Sequence, residues 1–369
     1  MTEKYQKEIF VFFPCDGKIG GAERRLIRTF DYISKSNSLF KFQIGFLVIT
    51  EINEDEVINE YRMFTDLPIM CFYSQSKIYK HVKKSDYDIV CYTDCSYRCL
   101  PILLAAKLSK KKSVMMCTDT MGSSRHLRPY VRQMLYDFDV KMSDRIDCLY
   151  PSNTKLLQSK FLKKTITCTP CSFTDMEKFK PAFPKKKEIV FLGRLVDFKG
   201  IRLFVNSMIT IAQEIRNEGY QCYIYGHGEL EEEIKATVSE NNCDDIIHCL
   251  GHIPDSNKVL AKSRVFCSLQ TMGNYPSQSM LEAMACGNYC IVTDTYDSYL
   301  LIDDSFGTLV NQDEKSFSDA VVHAMKFSEE QYKYISKNAR DFLHKKHNIQ
   351  LSAEYFTDLF TGLFNKQTE

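Results

Sequence analysis

Short, continuous apolar segments alternate with helical patterns along the chain, and this alternation limits the fold more than any other feature. Such segments are typical of parallel strands that are covered on both faces. Four lie in the first half, at 8–13, 42–49, 89–93 and 113–118. Five lie in the second half, at 188–193, 222–226, 246–251, 265–269 and 289–294. The pattern predicts an α/β protein with two doubly wound domains, in which ligands bind beyond the carboxyl ends of the strands.

The two sets of strands are separated by residues 169–187, which contain three prolines and many charges and are interpreted as a linker. A chain of 369 residues also favours two domains. We therefore predict one domain at 1–170 and a second at 171–350. Aromatic and aliphatic residues at helical spacing predict a C-terminal helix within 351–369, available to pack back on the first domain or to attach to a membrane surface.

Charge is distributed unevenly. Residues 1–180 hold 29 Lys and Arg against 21 Asp and Glu, a balance of +8, whereas the remainder has a balance of −7. Lysine runs such as 107–112 and 160–164 are explained either by a solvated helix face or by contact with anionic lipid headgroups or a phosphate-bearing acceptor. Nucleic acid is not expected, because no basic and aromatic motif accompanies the charge.

The 15 cysteines are scattered without zinc-site spacing, so we expect reduced, mostly buried thiols and no metal site. No apolar run approaches the ~20 residues of a membrane-spanning helix. The N-terminal segment has charges of both signs and too short an apolar run for a signal peptide. We therefore expect a cytoplasmic protein.

The turn after the first predicted strand is rich in glycine. Gly17, Gly20 and Gly21 allow close approach of the backbone, and a helix is predicted to begin near Ala22. The first N–H groups of a helix suit a phosphate or another anion. An ordinary tight turn explains the same residues, and the pattern matches neither the dinucleotide fingerprint nor a Walker loop.

Cationic and glycine-rich loops follow three strands of the second half. Arg194 and Lys199, in 191–200, are placed to neutralise a diphosphate, although two such residues in a loop are often only solvated. The turns at 225–230 and 250–253 bring backbone groups within reach of a nucleobase edge.

A short helix is predicted beyond the strand at 265–269, with Pro276 in its first turn and its end at Gly287. Amides at 277–279 would then point at an anion. Glu282 is a carboxylate among small and apolar neighbours. It is suited to accept hydrogen bonds from ribose hydroxyls, or to lie on the surface as a helix-dipole carboxylate.

Taken together, these residues resemble glycosyltransferase family 4, a retaining, metal-independent family with the two-domain GT-B fold. The likeness covers nearly the whole chain and rests on motifs in the family's order: GGAER (20–24), GRLVDFKG (193–200), GHGEL (226–230), LGHI (250–253) and LEAMACGN (281–288). The resemblance implies two Rossmann-like doubly wound domains facing a central cleft. It also implies a nucleotide-diphosphate-sugar as donor substrate, with no cofactor and no metal.

The resemblance also implies roles for individual residues. Arg194 and Lys199 would bind the donor diphosphate and stabilise its developing charge. Glu282 would hold the ribose. The other donor-binding residues that it implies are Gly20, Gly21, Gly226, His227, Gly228, His252, Ile253, Pro276, Ser277, Gln278 and Ser279.

Two positions depart from the family pattern. Asn274 stands where the family has the first glutamate of Glu-x7-Glu, so it can hydrogen-bond the donor sugar but carries no charge. Asp119 stands near the place of a frequent histidine, followed by Arg125 and His126 as acceptor-side candidates. Asp119 is suited either to orient or deprotonate an acceptor hydroxyl or to cap a strand end.

We therefore expect a glycosyltransferase that acts on a lipid-linked or growing glycan acceptor in surface polysaccharide biosynthesis. We expect it in the cytoplasm. It could also associate with the inner face of the cell membrane through peripheral contact with anionic lipid. Two alternatives stay open: a degenerate GT-B protein that only binds a partner, and a GT-B-fold epimerase of nucleotide sugars.

Overall fold

The computed structural model describes residues 6–14, 20–48, 54–93, 97–118, 128–273 and 275–364. Contacts divide the chain into two compact units, one of Met1–Ser172 with Ile349–Glu369 and one of Phe173–Asn348. Each unit contains one sheet in which every paired strand is parallel. The predicted α/β class with two doubly wound sheets is therefore confirmed.

The described residues of the first unit form a seven-stranded sheet in the order β3-β2-β1-β4-β5-β6-β7. Its strands are β1 (Lys7–Phe13), β2 (Phe40–Leu47), β3 (Ile69–Phe72), β4 (Ile89–Thr93), β5 (Lys112–Cys117), β6 (Arg145–Cys148) and β7 (Ile166–Cys168). Its helices are α1 (Gly21–Ser36), α2 (Glu54–Arg62), α3 (Gln75–Lys84), α4 (Leu100–Leu108), α5 (Pro129–Met142), α6 (Pro151–Lys160) and the last helix of the chain, α14 (Ile349–Thr361).

The described residues of the second unit form a six-stranded sheet in the order β10-β9-β8-β11-β12-β13. Its strands are β8 (Lys186–Leu192), β9 (Gln221–Tyr225), β10 (Ile247–Gly251), β11 (Ser263–Ser268), β12 (Tyr289–Thr293) and β13 (Gly307–Val310). Its helices are α7 (Ile201–Thr210), α8 (Ala212–Glu218), α9 (Glu231–Glu240), α10 (Ser256–Leu260), α11 (Gln278–Ala285), α12 (Glu314–Met325) and α13 (Glu329–Lys346). Two single 3-10 turns lie at Asp197–Lys199 and Ser298–Leu300.

All nine predicted strands are present, but the sequence pattern did not reveal four short ones: β3, β6, β7 and β13. Three of these lie at sheet edges, where one neighbour is missing and a long apolar run is not needed. The fourth, β6, carries Arg145 and Asp147 and so has no continuous apolar run.

Side chains that alternate along the strands of the first unit enter two separate cores, one on each face of the sheet. Helices α1, α2 and α14 cover one face, and α3 to α6 cover the other. In α14 the ring of Phe356 lies 5.2 Å from that of Phe30, and the tilted ring of Phe360 lies 5.9 Å from Phe30 and 6.0 Å from Phe356. The apolar side of this C-terminal helix is therefore used for packing, and the alternative of membrane attachment through it is wrong.

The proline-rich segment at 169–187 has little regular structure, but it is not a free linker. Its part in the second unit packs on that unit: the Ala182 amide donates to the Ala261 carbonyl at 2.9 Å, and Arg340 donates to the Phe179 carbonyl at 3.0 Å. Lys185 is buried within the same contact region. The boundary between the two units lies within this segment, after Ser172, as the linker interpretation requires, whereas the residues from Phe173 onwards pack on the second unit.

Cysteines in the described ranges are all free thiols, and most of them are buried. This confirms the expectation for these residues, since an apolar environment leaves a thiol as a small packing group. Among the helices that the structure describes, none is long and apolar enough to cross a bilayer.

Candidate functional site

The second sheet changes direction between β8 and β11. From β8 the chain adds β9 and β10 on one side, and from β11 it adds β12 and β13 on the other. Ligands in open α/β sheets bind at such a switch point, beyond the carboxyl ends of the strands. A ligand site is therefore expected at the two loops that flank the switch point, one after β8 and one after β11.

The loop after β8 carries both predicted cations. Lys199 ends the 3-10 turn, and Gly200 has φ of 74° before α7 begins. A Cβ atom on Gly200 would lie 2.0 Å from the Leu269 carbonyl oxygen, so only glycine fits here. The guanidinium of Arg194 and the ammonium of Lys199 each lie 5.4 Å from the ring centre of Phe198. The fold thus places both cations beside the switch point.

Lys199 is half-buried, and its ammonium donates a hydrogen bond of 2.7 Å to the side-chain oxygen of Gln270. Gln270 lies just after β11, across the switch point, and the sequence carried no signal for its role. Burial, and then the positive charge of Arg194, lower the pKa of Lys199 from 10.5 to about 8. Burial and the Arg194 charge both disfavour the ammonium form of Lys199, so an anionic ligand beside these two cations would stabilise it.

The glycine turn after β9 packs directly on the loop after β8. Gly193 donates its amide to the Tyr225 carbonyl at 3.0 Å. Gly226 has φ of 138°, and a Cβ atom there would lie 1.8 Å from the Gly193 carbonyl oxygen. At Gly228 the corresponding distance to the Leu195 carbonyl oxygen is 2.2 Å. Both glycines are therefore required for close backbone packing around the cationic loop.

His227 connects this turn with the one after β10. Its Nε2 accepts a hydrogen bond of 3.2 Å from the amide of His252, and its Nδ1 lies 2.7 Å from a carboxylate oxygen of Glu231. This arrangement assigns the ring proton to Nδ1, because Nε2 acts as an acceptor. His227 is thus a structural element of the turns, and Ile253 follows in the same loop.

Helix α11 follows the loop after β11, with Ser277 as its N-cap residue. Pro276 lies in the turn before the helix, so its predicted place in the first helical turn is wrong. The hydroxyls of Ser277 and Ser279 lie 3.2 Å apart at the helix N-terminus. Gly287, at φ of 73°, ends the helix as predicted.

The carboxylate of Glu282 is held by two polar side chains. Gln278, one turn earlier, donates to Oε1 at 3.2 Å, and Ser256, at the start of α10, donates to Oε2 at 3.4 Å. Ser256 is far away in the sequence and was not predicted. Because α10 follows β10 and α11 follows β11, the carboxylate and the cationic loop both lie at the carboxyl ends of the strands.

Two cations hold the opposite end of α11. Lys185 donates to the Cys286 carbonyl at 2.7 Å, and Arg340 donates to the Ala285 carbonyl at 2.6 Å. Positive charge at a helix C-terminus complements the helix dipole. This contact fixes the helix that carries Glu282, and it depends on residues that the motifs do not include.

The other predicted residues lie in the first unit or outside the described residues. Gly20 is the N-cap residue of α1, and Gly21 begins that helix, both in the first unit. Gly17, Asp119, Arg125, His126 and Asn274 lie outside the described residues. In the part of the chain that the structure does describe, no three His, Cys, Asp or Glu side chains are grouped as metal ligands would be. The expectations of no metal and no cofactor stay predictions.

Similarity to solved structures defines the class of fold. A crystal structure of the Anabaena protein HepE in complex with UDP matches with a TM-score of 0.79 at 11% identity, covering 96% of this chain and 100% of that one. A glycosyltransferase from Rickettsia africae matches with a TM-score of 0.76 at 13% identity, covering 98% and 100%. The chain has the GT-B fold, with two Rossmann-like units.

Sequence comparisons agree with this class. Residues 186–326 match the family model described as Glycosyl transferases group 1. A Campylobacter jejuni α-1,4-N-acetyl-D-galactosaminyltransferase, named for a glycan on diphospho-undecaprenol, is 24% identical over 80% of this chain and 82% of its own length. An Escherichia coli UDP-galactose:α-D-GlcNAc-diphosphoundecaprenol α-1,3-galactosyltransferase is 25% identical over 78% of each. The chain is thus related to glycosyltransferases, and its assignment to family 4 in particular stays a prediction.

Proposed function

We propose that this protein transfers a sugar from a nucleotide-diphosphate-sugar to a hydroxyl of a lipid-linked or growing glycan, in the biosynthesis of a surface polysaccharide. The observation that carries the proposal is the pair of Arg194 and Lys199 at the switch point of the second sheet. Both lie 5.4 Å from the centre of the Phe198 ring, and Lys199 donates a hydrogen bond to Gln270. A diphosphate is the ligand whose charge and size suit two adjacent cations.

Each group of the site has a separate task in this reaction. Arg194 and Lys199 bind the diphosphate and stabilise the negative charge that grows on it as the sugar leaves. Glu282, oriented by Gln278 and Ser256, accepts hydrogen bonds from the ribose hydroxyls. The close-packed turns at Gly226 to Gly228 and at His252 offer backbone groups to the base.

Retention of the anomeric configuration and independence from metal are part of the proposal and rest on the resemblance to family 4. The acceptor hydroxyl would attack from the face that the diphosphate leaves, and the donor phosphate would help to take its proton. NMR of the product would test retention, and inversion would refute it. Activity that is lost with EDTA and restored by a divalent cation would refute metal independence.

The proposed acceptor is a glycan on a lipid diphosphate, because the Campylobacter and Escherichia relatives are named for diphospho-undecaprenol substrates. The enzyme would then work at the inner face of the cell membrane. Asp119, Arg125 and His126 remain the candidates on the acceptor side, and Asn274 remains the candidate for contact with the donor sugar. The individual sugars of the relatives do not transfer to this chain at such identity.

A screen of nucleotide sugars by thermal shift, followed by incubation of the best one with lipid-diphosphate acceptors, tests the proposal. We expect a glycosylated acceptor, and loss of both binding and transfer in Lys199→Ala. Lys333→Ala, an exposed lysine on α13, is the matched control and should behave as wild type. Binding without transfer to any acceptor would favour a binding protein, and isomerisation of the sugar on the nucleotide would favour an epimerase.

A further inference from the structure

Helix α5 of the first unit has apolar side chains on both of its sides. Tyr136 and Val140 are buried in the core beneath it. On the other side, Tyr130, Met134 and Phe138 are 75%, 55% and 40% exposed. Their spacing of four residues aligns them in one stripe along the helix. A surface helix of a globular protein normally has polar residues on its outward side, so an exposed apolar stripe indicates a binding surface.

The neighbouring helices also expose apolar side chains. Helix α4, which packs against α5, exposes Leu104 and Leu108. Helix α6 is joined to α5 by the ion pair of Lys160 with Asp137, at 2.7 Å, and exposes Leu156. The exposed apolar residues are therefore grouped on three adjacent helices rather than scattered singly.

Charge on this face of the first sheet is strongly positive. Helices α3 to α6 carry nine Lys and Arg and two Asp. Helices α1, α2 and α14, on the opposite face, carry five Lys and Arg and eight Asp and Glu. The positive balance of the first half of the sequence is therefore concentrated on the face that also exposes the apolar stripe.

A concave recess adds to this basic face. It is lined by Lys80, His81, Lys84 and Ser85 at the C-terminal end of α3. Cationic side chains around a recess suit the phosphate of a lipid headgroup.

We propose that the outer side of α3 to α6, here called the basic apolar face, docks on a membrane that contains anionic lipid. Tyr130, Met134 and Phe138 would enter the boundary between headgroups and acyl chains, while the surrounding lysines contact the headgroups with their long side chains. This is the arrangement of a helix that lies in the plane of the interface. The inference rests on the proposed function in one respect: a lipid-linked acceptor lies in a membrane, so an enzyme that uses it has to reach the membrane surface.

Charge favours a membrane over a second copy of this chain. A symmetric dimer through this face would bring nine basic side chains of one copy against the same nine of the other, which is unfavourable. Anionic lipid neutralises them instead, and each Lys or Arg near such a surface contributes attraction that falls with added salt.

Vesicle sedimentation tests the proposal in the absence of any donor or acceptor. The full chain should bind vesicles of phosphatidylcholine with phosphatidylglycerol, and bind vesicles of phosphatidylcholine alone at least about 10-fold more weakly. The variant Tyr130→Ser/Met134→Ser/Phe138→Ser should lose at least about 10-fold in binding to the anionic vesicles. Equal binding by wild type and this variant would overturn the proposal.

Two further variants make the test specific. The control Tyr299→Ser/Leu300→Ser/Tyr334→Ser removes exposed apolar side chains from the second unit and should bind vesicles as wild type does. Lys77→Gln/Lys83→Gln/Lys141→Gln should weaken binding to anionic vesicles and leave binding to neutral ones unchanged. A control that loses binding as strongly as the α5 variant would overturn the assignment to this face.

Two more measurements separate this inference from the proposed function and from a protein partner. Circular dichroism and thermal shift with a nucleoside diphosphate should be unchanged in the α5 variant, which shows that the chain is folded and its donor site intact. Vesicle binding by a wild type that binds no nucleotide would leave the docking face supported and the transferase proposal refuted. A different outcome would refute membrane docking and identify a protein interface: the wild type sediments as a dimer and binds no vesicles, and the α5 variant sediments as a monomer.

Discussion

Nucleoside diphosphate binding should weaken as pH rises through about 8, because Lys199 loses its proton there in the free protein. Burial and the charge of Arg194 lower the pKa of Lys199 from 10.5 to about 8. A bound diphosphate returns that pKa towards its usual range, so binding takes up a proton. With a pKa of about 8 the charged fraction falls from about 0.9 at pH 7 to about 0.1 at pH 9, and the affinity should fall about 10-fold.

Isothermal titration in buffers of different ionisation enthalpy measures both the affinity and the proton uptake, which should reach about half a proton at pH 8. Lys199→Arg is the matched control, because a guanidinium stays charged over this range and shows only the titration of the ligand. A wild-type affinity that stays level from pH 7 to pH 9, or one that falls equally in Lys199→Arg, would refute the reasoning.

The same lowered pKa has the opposite consequence for stability. The unfolded chain binds more protons than the folded chain between pH 8 and 10.5, so the contribution of Lys199 to stability rises with pH across that window. Below pH 8 the buried charge costs up to about 3 kcal/mol. Lys199→Met should therefore unfold in urea at a higher midpoint than wild type at pH 7, while it loses nucleotide binding. A lower midpoint would contradict this account.

Three further substitutions test the site and the fold. If the Glu282 carboxylate holds the ribose, Glu282→Gln should weaken nucleoside diphosphate binding about 10-fold and leave binding of a 2′,3′-dideoxy analogue unchanged. An equal loss of affinity for both ligands in calorimetry would exclude that role. Gly226→Ala should lower the free energy of unfolding by at least about 3 kcal/mol, because its Cβ atom would clash with the Gly193 carbonyl oxygen. Gly219 also has a positive φ but lies in open space, so Gly219→Ala should lower it by only about 1 kcal/mol. Equal urea midpoints for the two variants would show that the protein relieves the clash at Gly226. Phe360 of α14 is buried against Phe30 of α1, so Phe360→Ala should lower the free energy of unfolding by about 3–5 kcal/mol, and Phe364→Ala, at a partly exposed position, by less than about 1 kcal/mol. Similar losses in both variants would refute the packing of α14.

Local patterns in the sequence were sufficient for the fold class, the nine long strands and the position of the cationic loop. Continuous apolar runs report burial on both faces, and glycines such as Gly226 and Gly200 report backbone packing that no other residue allows. The short edge strands were not predicted, because their amino-acid composition does not distinguish them from loops. The predicted start of α11 was two residues too early, at Pro276 instead of Gln278, because proline is compatible both with the first helical turn and with the turn before it.

What the sequence determined by itself is therefore a set of local facts: the alternation of strands and helices, the tight turns, and the presence of Arg194, Lys199 and Glu282 near strand and helix ends. Only the tertiary structure showed that Gln270 holds Lys199 and that Ser256 reaches Glu282. It alone also showed which face of the first sheet gathers the basic and apolar side chains. The reason is physical, because burial and pairing between distant residues depend on the order of strands in the sheets, which no short stretch of sequence contains.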